Sequence, residues 1–218
     1  MPPPSTACND VADWLDSNFI AGFVNDGDPA LWTPRGNEHY RGFFAIPLIT
    51  LSFCEAMAAL MVGKSFGGQE LATRFLEERV SAHAGSTSAE GRYRARSALL
   101  FNLYRNGIAH QREPGRLNVD GSEIMWRTSR GRPLESHLRL TREGPVYELA
   151  IDVDLLYSHV LAAFREVSDQ ARQTPALARK IYDGLVQADA LRVPLAERKP
   201  NSHIWTQMKA ALTTFDAS

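Results

Sequence analysis

Apolar residues along this chain fall first into helical spacing, then into strict alternation, then back into helical spacing. Asp10 to Phe19 reads as a short amphipathic helix capped by Asn9 or Asp10. A stretch rich in Gly, Asp and Pro through Gly36 reads as a loop. A long apolar helix is then expected from near Asn37 to Gly63. Gln69 to Ser81 predicts another, with Leu71, Phe75 and Leu76 on one side. "AHAGSTSAEG" reads as a loop, and Arg92 to Asn106 returns to helix with Ala95, Leu99, Leu100 and Leu103 as its buried stripe.

The period then changes to two. "RLNVDGSEIMWRTS", "SHLRLT" and "PVYELAID" alternate, with Asp120-Gly121 and Glu143-Gly144-Pro145 where hairpin turns are needed. Residues 116–151 therefore predict a small antiparallel β-meander. Asp152 or Asp154 caps the next helix, which runs to Arg172. Thr174-Pro175 opens another to about Ala188, and Asn201 or Ser202 caps a last one ending near Phe215. The expectation is a mainly α chain: one domain, residues 1–218, a helical bundle with a meander inserted at about 116–151.

Composition adds little to this until charge is mapped. The 218 residues are 44% hydrophobic, enough for a core, and two cysteines, Cys8 and Cys54, make no disulfide framework. No Cys/His spacing suggests a metal site, and no cofactor is implied. "MPPPSTACND" lacks the basic start and apolar core of a signal peptide, so the cytoplasm is the expected compartment. The twenty-residue run Phe43–Val62, with Glu55 its single charge, has the length of a membrane span. Pro47, Thr50, Ser52 and Glu55 favour a helix buried inside a bundle instead.

The net charge of -1 conceals an asymmetry. Residues 92–142 carry eleven arginines, no lysine and four acids, a net of +7 that leaves -8 on the rest. Arg92, Arg94, Arg96, Arg112, Arg116, Arg127, Arg130 and Arg132 flank the centre of this island. Such a cluster suits a polyanion, although solvated arginines on an exposed helix would look the same.

At that centre stands "LYRNGIAHQREPG". A left-handed Gly107 would end the helix in a Schellman motif, with Leu103 and Ile108 in contact and Arg105 on the helix dipole. That leaves His110, which on an unbroken helix stands about 140° around from Arg105. A break or distortion at Gly107 would let the two side chains converge. The bare spacing recurs at Arg132–His137 and Arg198–His203, in proline-containing segments without the asparagine.

"RNGIAH" resembles the R-N-x-x-x-H motif of the HEPN superfamily, helical domains many of which are metal-independent ribonucleases. The resemblance implies proton transfer by His110, charge stabilisation by Arg105 and positioning by Asn106. The residue types suit attack of an RNA 2′-hydroxyl on phosphorus: histidine titrates near neutrality, and a guanidinium matches the phosphorane oxygens. It further implies an endoribonuclease leaving 2′,3′-cyclic phosphate, a homodimer, a toxin or phage-defence role, and a restraining partner protein. The alternative is a non-catalytic module of the same fold that binds RNA or protein.

Glu55 has two readings: it orients Arg105 or His110, or it closes a structural ion pair. His39-Tyr40-Arg41 either lines a cleft or simply opens a helix. His83, His137, His159 and His203 are dispersed, with His159 expected to pack or face solvent. "GKSFGG" at Gly63–Gly68 lacks the phosphate-loop frame and follows a helix, and Ser81 and Ser97 have no base nearby in sequence.

Overall fold

A computed structural model describes residues 5–31, 44–111 and 115–197, with side chains over 5–27, 44–109 and 115–190. Helix α1 (Cys8–Trp14) runs through a π-helical segment, Leu15–Ile20, directly into α2 (Ala21–Leu31). The helix thus starts at Cys8 with no side-chain cap and continues where a loop was expected. Gly22 and Gly27 are helical glycines. A Cβ on Gly27 would lie 2.4 Å from the Tyr157 ring, so the glycine admits a close helix crossing beside the stacked Phe23–Tyr157 pair.

Helix α3 (Ala45–Met61) is the central element, burying Ile46, Leu51, Cys54, Met57 and Leu60. Pro47 sits in its first turn, where a missing N–H removes no helical bond. No helix among the described residues is long and apolar enough to cross a membrane. Its end is a Schellman motif: Gly63 is left-handed (φ 75°), and the N–H groups of Gly63 and Lys64 donate to Leu60 O and Ala59 O.

Helix α4 (Gln69–Glu78) continues into a 3-10 turn, Val80–His83. Helix α5 (Thr87–Leu100) begins earlier than expected, because Ser86 Oγ accepts the N–H of Ala89 as a cap. Its buried stripe is Ala89, Tyr93, Ser97 and Leu100, whereas Ala95 is exposed. A π-helical segment, Phe101–Asn106, then leads into α6 (Gly107–Gln111).

The sheet comprises β1 (Leu117–Val119), β2 (Ser122–Ser129), β3 (Arg139–Glu143) and β4 (Val146–Asp152). Both expected hairpins form, but the spatial order is β1-β2-β4-β3, with β2 and β4 parallel. The expected antiparallel meander is thereby corrected. The apolar residues account for the order: Ile124 of β2 and Leu149 and Ile151 of β4 are buried in the centre, while charged β3 takes an edge. Asp152 then caps α7 (Val153–Gln173), its Oδ1 accepting from Asp154 and Leu155 N–H at 3.1 Å. Helix α8 (Pro175–Glu197) opens with proline as expected and outruns Ala188. The expected last helix, near 201–215, lies outside the described residues.

Candidate functional site

Arg105 and Asn106 end the π-helical segment, which lies against α3. The expected left-handed ending at Gly107 is not found. Gly107 is right-handed (φ -58°, ψ -54°), and its N–H reaches back five residues to Asn102 O, the π-type bond. The distortion therefore precedes the glycine, and the helix carries on through His110. The side chain of His110 lies outside the described residues.

Around Arg105 the partners are specific. Its Nη2 meets Glu55 Oε2 of α3 at 2.9 Å, and its Nη1 donates to Asn106 Oδ1 at 3.3 Å. The guanidinium carbon stands 5.7 Å from the centre of the Phe101 ring, a cation–π distance. Asn106 is oriented in turn. Asn102 Nδ2 donates to Ala98 O at 2.9 Å, which leaves Asn102 Oδ1 to accept Asn106 Nδ2 at 3.1 Å and turns Asn106 Oδ1 toward the arginine. The Arg105 and Glu55 side chains are 28% and 21% exposed, so the pair sits at the edge of the core within reach of solvent. Asn102 is the residue that sequence reasoning missed here; its i, i+4 spacing to Asn106 was the available signal.

The arginine island looks different in space. Arg92 donates to Glu135 O and Leu134 O at 2.8 and 2.9 Å, and Arg96 donates to Leu138 O, so both clamp the segment before β3. Arg94 pairs with Glu90, Arg116 with Glu123, Arg127 with Glu148 and Arg130 with Asp154. Arg132 gives its backbone N–H to Asp152, and Arg112 lies outside the described residues. Glu90, Glu148 and Asp154 stand outside the 92–142 window yet supply its counter-charges.

Comparisons with family models, with curated proteins and with solved structures find no match to this chain.

A second polar cluster has no counterpart in the sequence reading. Tyr93 Oη lies 2.9 Å from His137 Nε2 and 3.0 Å from His159 Nδ1, joining α5, the β3 approach and α7. Asp152 N–H donates to His137 Nδ1 at 3.1 Å, so a neutral His137 carries its proton on Nε2 and gives it to Tyr93 Oη. Tyr93 then donates to His159 Nδ1. His137 is 1% exposed and His159 7%. Burial, reinforced by His159 and Arg92, pushes His137 down to about 3. Burial and then His83 lower His159 to about 4. Burial also holds the Tyr93 hydroxyl well above its ordinary range. Near the surface, His83 Nε2 stands 2.7 Å from Glu166 Oε2. Residue separations of 44 and 66 hide this network from any local pattern. His39-Tyr40-Arg41 and His203 lie outside the described residues. Among the described residues, no group of three or more His, Cys, Asp or Glu could hold a metal ion.

Proposed function

We propose that the chain is a metal-independent endoribonuclease of the HEPN type, with Arg105, Asn106 and His110 as its working residues. One observation carries the reading: a partly exposed guanidinium, set by Glu55, Asn106 and Phe101, ends a π-helical segment, whose distortion departs from the regular turn that would hold Arg105 and His110 about 140° apart. Arg105 has the fixed charge that a phosphorane needs, and a π-helical turn is frequent where function distorts a helix. In the step proposed, an RNA 2′-oxygen bonds to the adjacent phosphorus as its proton passes to His110. The bond from phosphorus to the 5′-oxygen breaks, and that oxygen takes up a proton. The products are a 2′,3′-cyclic phosphate and a 5′-hydroxyl. A homodimer, a cytoplasmic toxin or phage-defence role and an inhibitory partner protein follow from the same resemblance.

A second reading has its own observation. The arginines beside the motif are engaged within the fold, and Arg105 is itself paired with an acid. That suits a non-catalytic RNA-binding or protein-interaction module.

The deciding experiment is cleavage of a mixed cellular RNA pool in EDTA by the purified chain and by His110→Ala. Cyclic-phosphate ends from the parent and a loss of about 10²- to 10⁴-fold in the variant are expected. Equal cutting by both removes His110 from the chemistry. No cutting by either, with RNA still bound in a salt-sensitive way, selects the module.

A further inference from the structure

The loop between α3 and α4 contains the most exposed large apolar side chain among those described, Phe66, at 72% exposure; Val62, Val119 and Val186 lie between 38% and 48%. A single exposed hydrophobe is ordinary on a protein surface. The backbone beneath this one is not.

The loop is held on both flanks. On one side, the Schellman ending fixes Gly63 and Lys64, and Gln187 Nε2 of α8 donates to Gly63 O at 2.9 Å. Lys64 O is also pressed on α8, where a Cβ at Gly184 would approach it to 2.9 Å. On the other side, Gly67 lies flat on α3. A Cβ there would come within 2.5 Å of Glu55 O and 3.1 Å of Glu55 Cγ, so only glycine fits. Between these anchors the chain presents exposed Lys64 and Phe66, and Lys64 makes no ion pair among the described residues.

Gly67 rests on Glu55, the same residue whose carboxylate holds Arg105 at 2.9 Å. One side chain therefore links the loop to the candidate site. An aromatic ring on an anchored backbone, on the same short loop as an exposed lysine and one residue before the glycine that rests on the partner of Arg105, has the parts that hold a single nucleic-acid strand: a stacking face for a base and a charge for the backbone. Anchoring lowers the entropy that binding must still remove.

We infer that Phe66 and Lys64 form a subsite for single-stranded RNA, Phe66 stacking on a base and Lys64 meeting a phosphate adjacent to the one at Arg105. The inference rests on the ribonuclease reading for its ligand. It assigns the glycine-rich loop a role other than that of a nucleotide phosphate loop.

The test is fluorescence anisotropy of the full chain with a short, mixed-sequence 2′-O-methyl oligonucleotide, which lacks the attacking hydroxyl and stays intact. Phe66→Ala is expected to weaken binding roughly 5- to 150-fold, while Phe66→Trp keeps the parental affinity. Lys64→Ala is expected to lower the slope of log affinity against log salt by about 0.7, the value for one single-strand phosphate contact. If the parent binds and Phe66→Ala binds equally well, the subsite is overturned while the ribonuclease reading stands. If the parent does not bind the strand, both fall. If Phe66→Ala leaves RNA affinity alone but dissociates a dimer in sedimentation, Phe66 belongs to a contact between copies, and the inference is wrong.

Discussion

Arg105→Ala is expected to lower RNA cleavage by about 100-fold or more and, separately, to destabilise the fold by about 1–3 kcal/mol. The two effects have different causes. On the ribonuclease reading proposed above, activity falls because the developing phosphorane loses a fixed cation. Stability falls because Glu55, 21% exposed and 2.9 Å from the missing nitrogen, keeps a charge with no partner. Arg105→Lys is expected to recover little activity, since an ammonium cannot face Glu55, Asn106 and a phosphate together in one plane. The separation is made by the double variant Glu55→Gln/Arg105→Ala. With the orphan charge removed, its denaturant midpoint is expected to return toward that of the parent, while its cleavage stays low. A single variant that cuts RNA at the parental rate would reduce the Arg105–Glu55 pair to a structural ion pair and nothing more.

The second large effect concerns pH and is independent of any activity. In the unfolded chain His137 and His159 titrate near the ordinary 6.5; in the folded chain they lie at about 3 and about 4. Between those limits the unfolded state binds protons that the folded state does not. Their contribution is therefore whole above pH 6.5 and falls as pH drops below it, by at most about 1.4 kcal/mol per pH unit for each histidine. Asp152 acts in the opposite sense. Burial raises its carboxyl above the ordinary 3.8, so its ionisation costs the folded state as pH rises through that range and offsets part of the histidine effect. Going from pH 7 to pH 5 should thus lower the urea midpoint markedly. His137→Gln/His159→Gln should flatten that dependence, and an unchanged midpoint in the parent would show that the histidines are not held neutral.

Tyr93→Phe checks the same network at neutral pH. Loss of the hydroxyl leaves the Nε2–H of His137 and the Nδ1 of His159 buried without partners, at about 1–3 kcal/mol each. A melting temperature within a degree or so of the parent would mean that the hydrogen bonds do not form as described.

Much of the architecture was legible where periodicity is local. Helices α4 and α7, the bodies of α3 and α5, and both hairpins sit where spacing, caps and turn residues put them, because each is dictated by neighbours within a few residues. Errors came where a residue answers to something distant. Gly22 and Gly27 look like loop punctuation, yet Gly27 is helical because Tyr157, from α7, needs the space of its missing side chain. The antiparallel meander failed because alternation specifies that strands exist, not which strands are adjacent; burial of Ile124, Leu149 and Ile151 placed β2 beside β4.

For the site, the sequence by itself determined the run Arg105-Asn106-Gly107 with His110 three residues beyond, and the need of Glu55 for a partner; that the helix continues past Gly107 instead of ending there was decided by the fold. Tertiary structure alone decided that this partner is Arg105, that Asn102 orients Asn106, and that Gly67 lays its loop on the same glutamate. It also neutralised much of the arginine island, since charge counted along a chain omits acids such as Glu148 and Asp154 that folding brings alongside. Tyr93, His137 and His159 show the same limit: hydrogen bonds act over about 3 Å in space, and no spacing in the sequence reports which residues folding will bring that close.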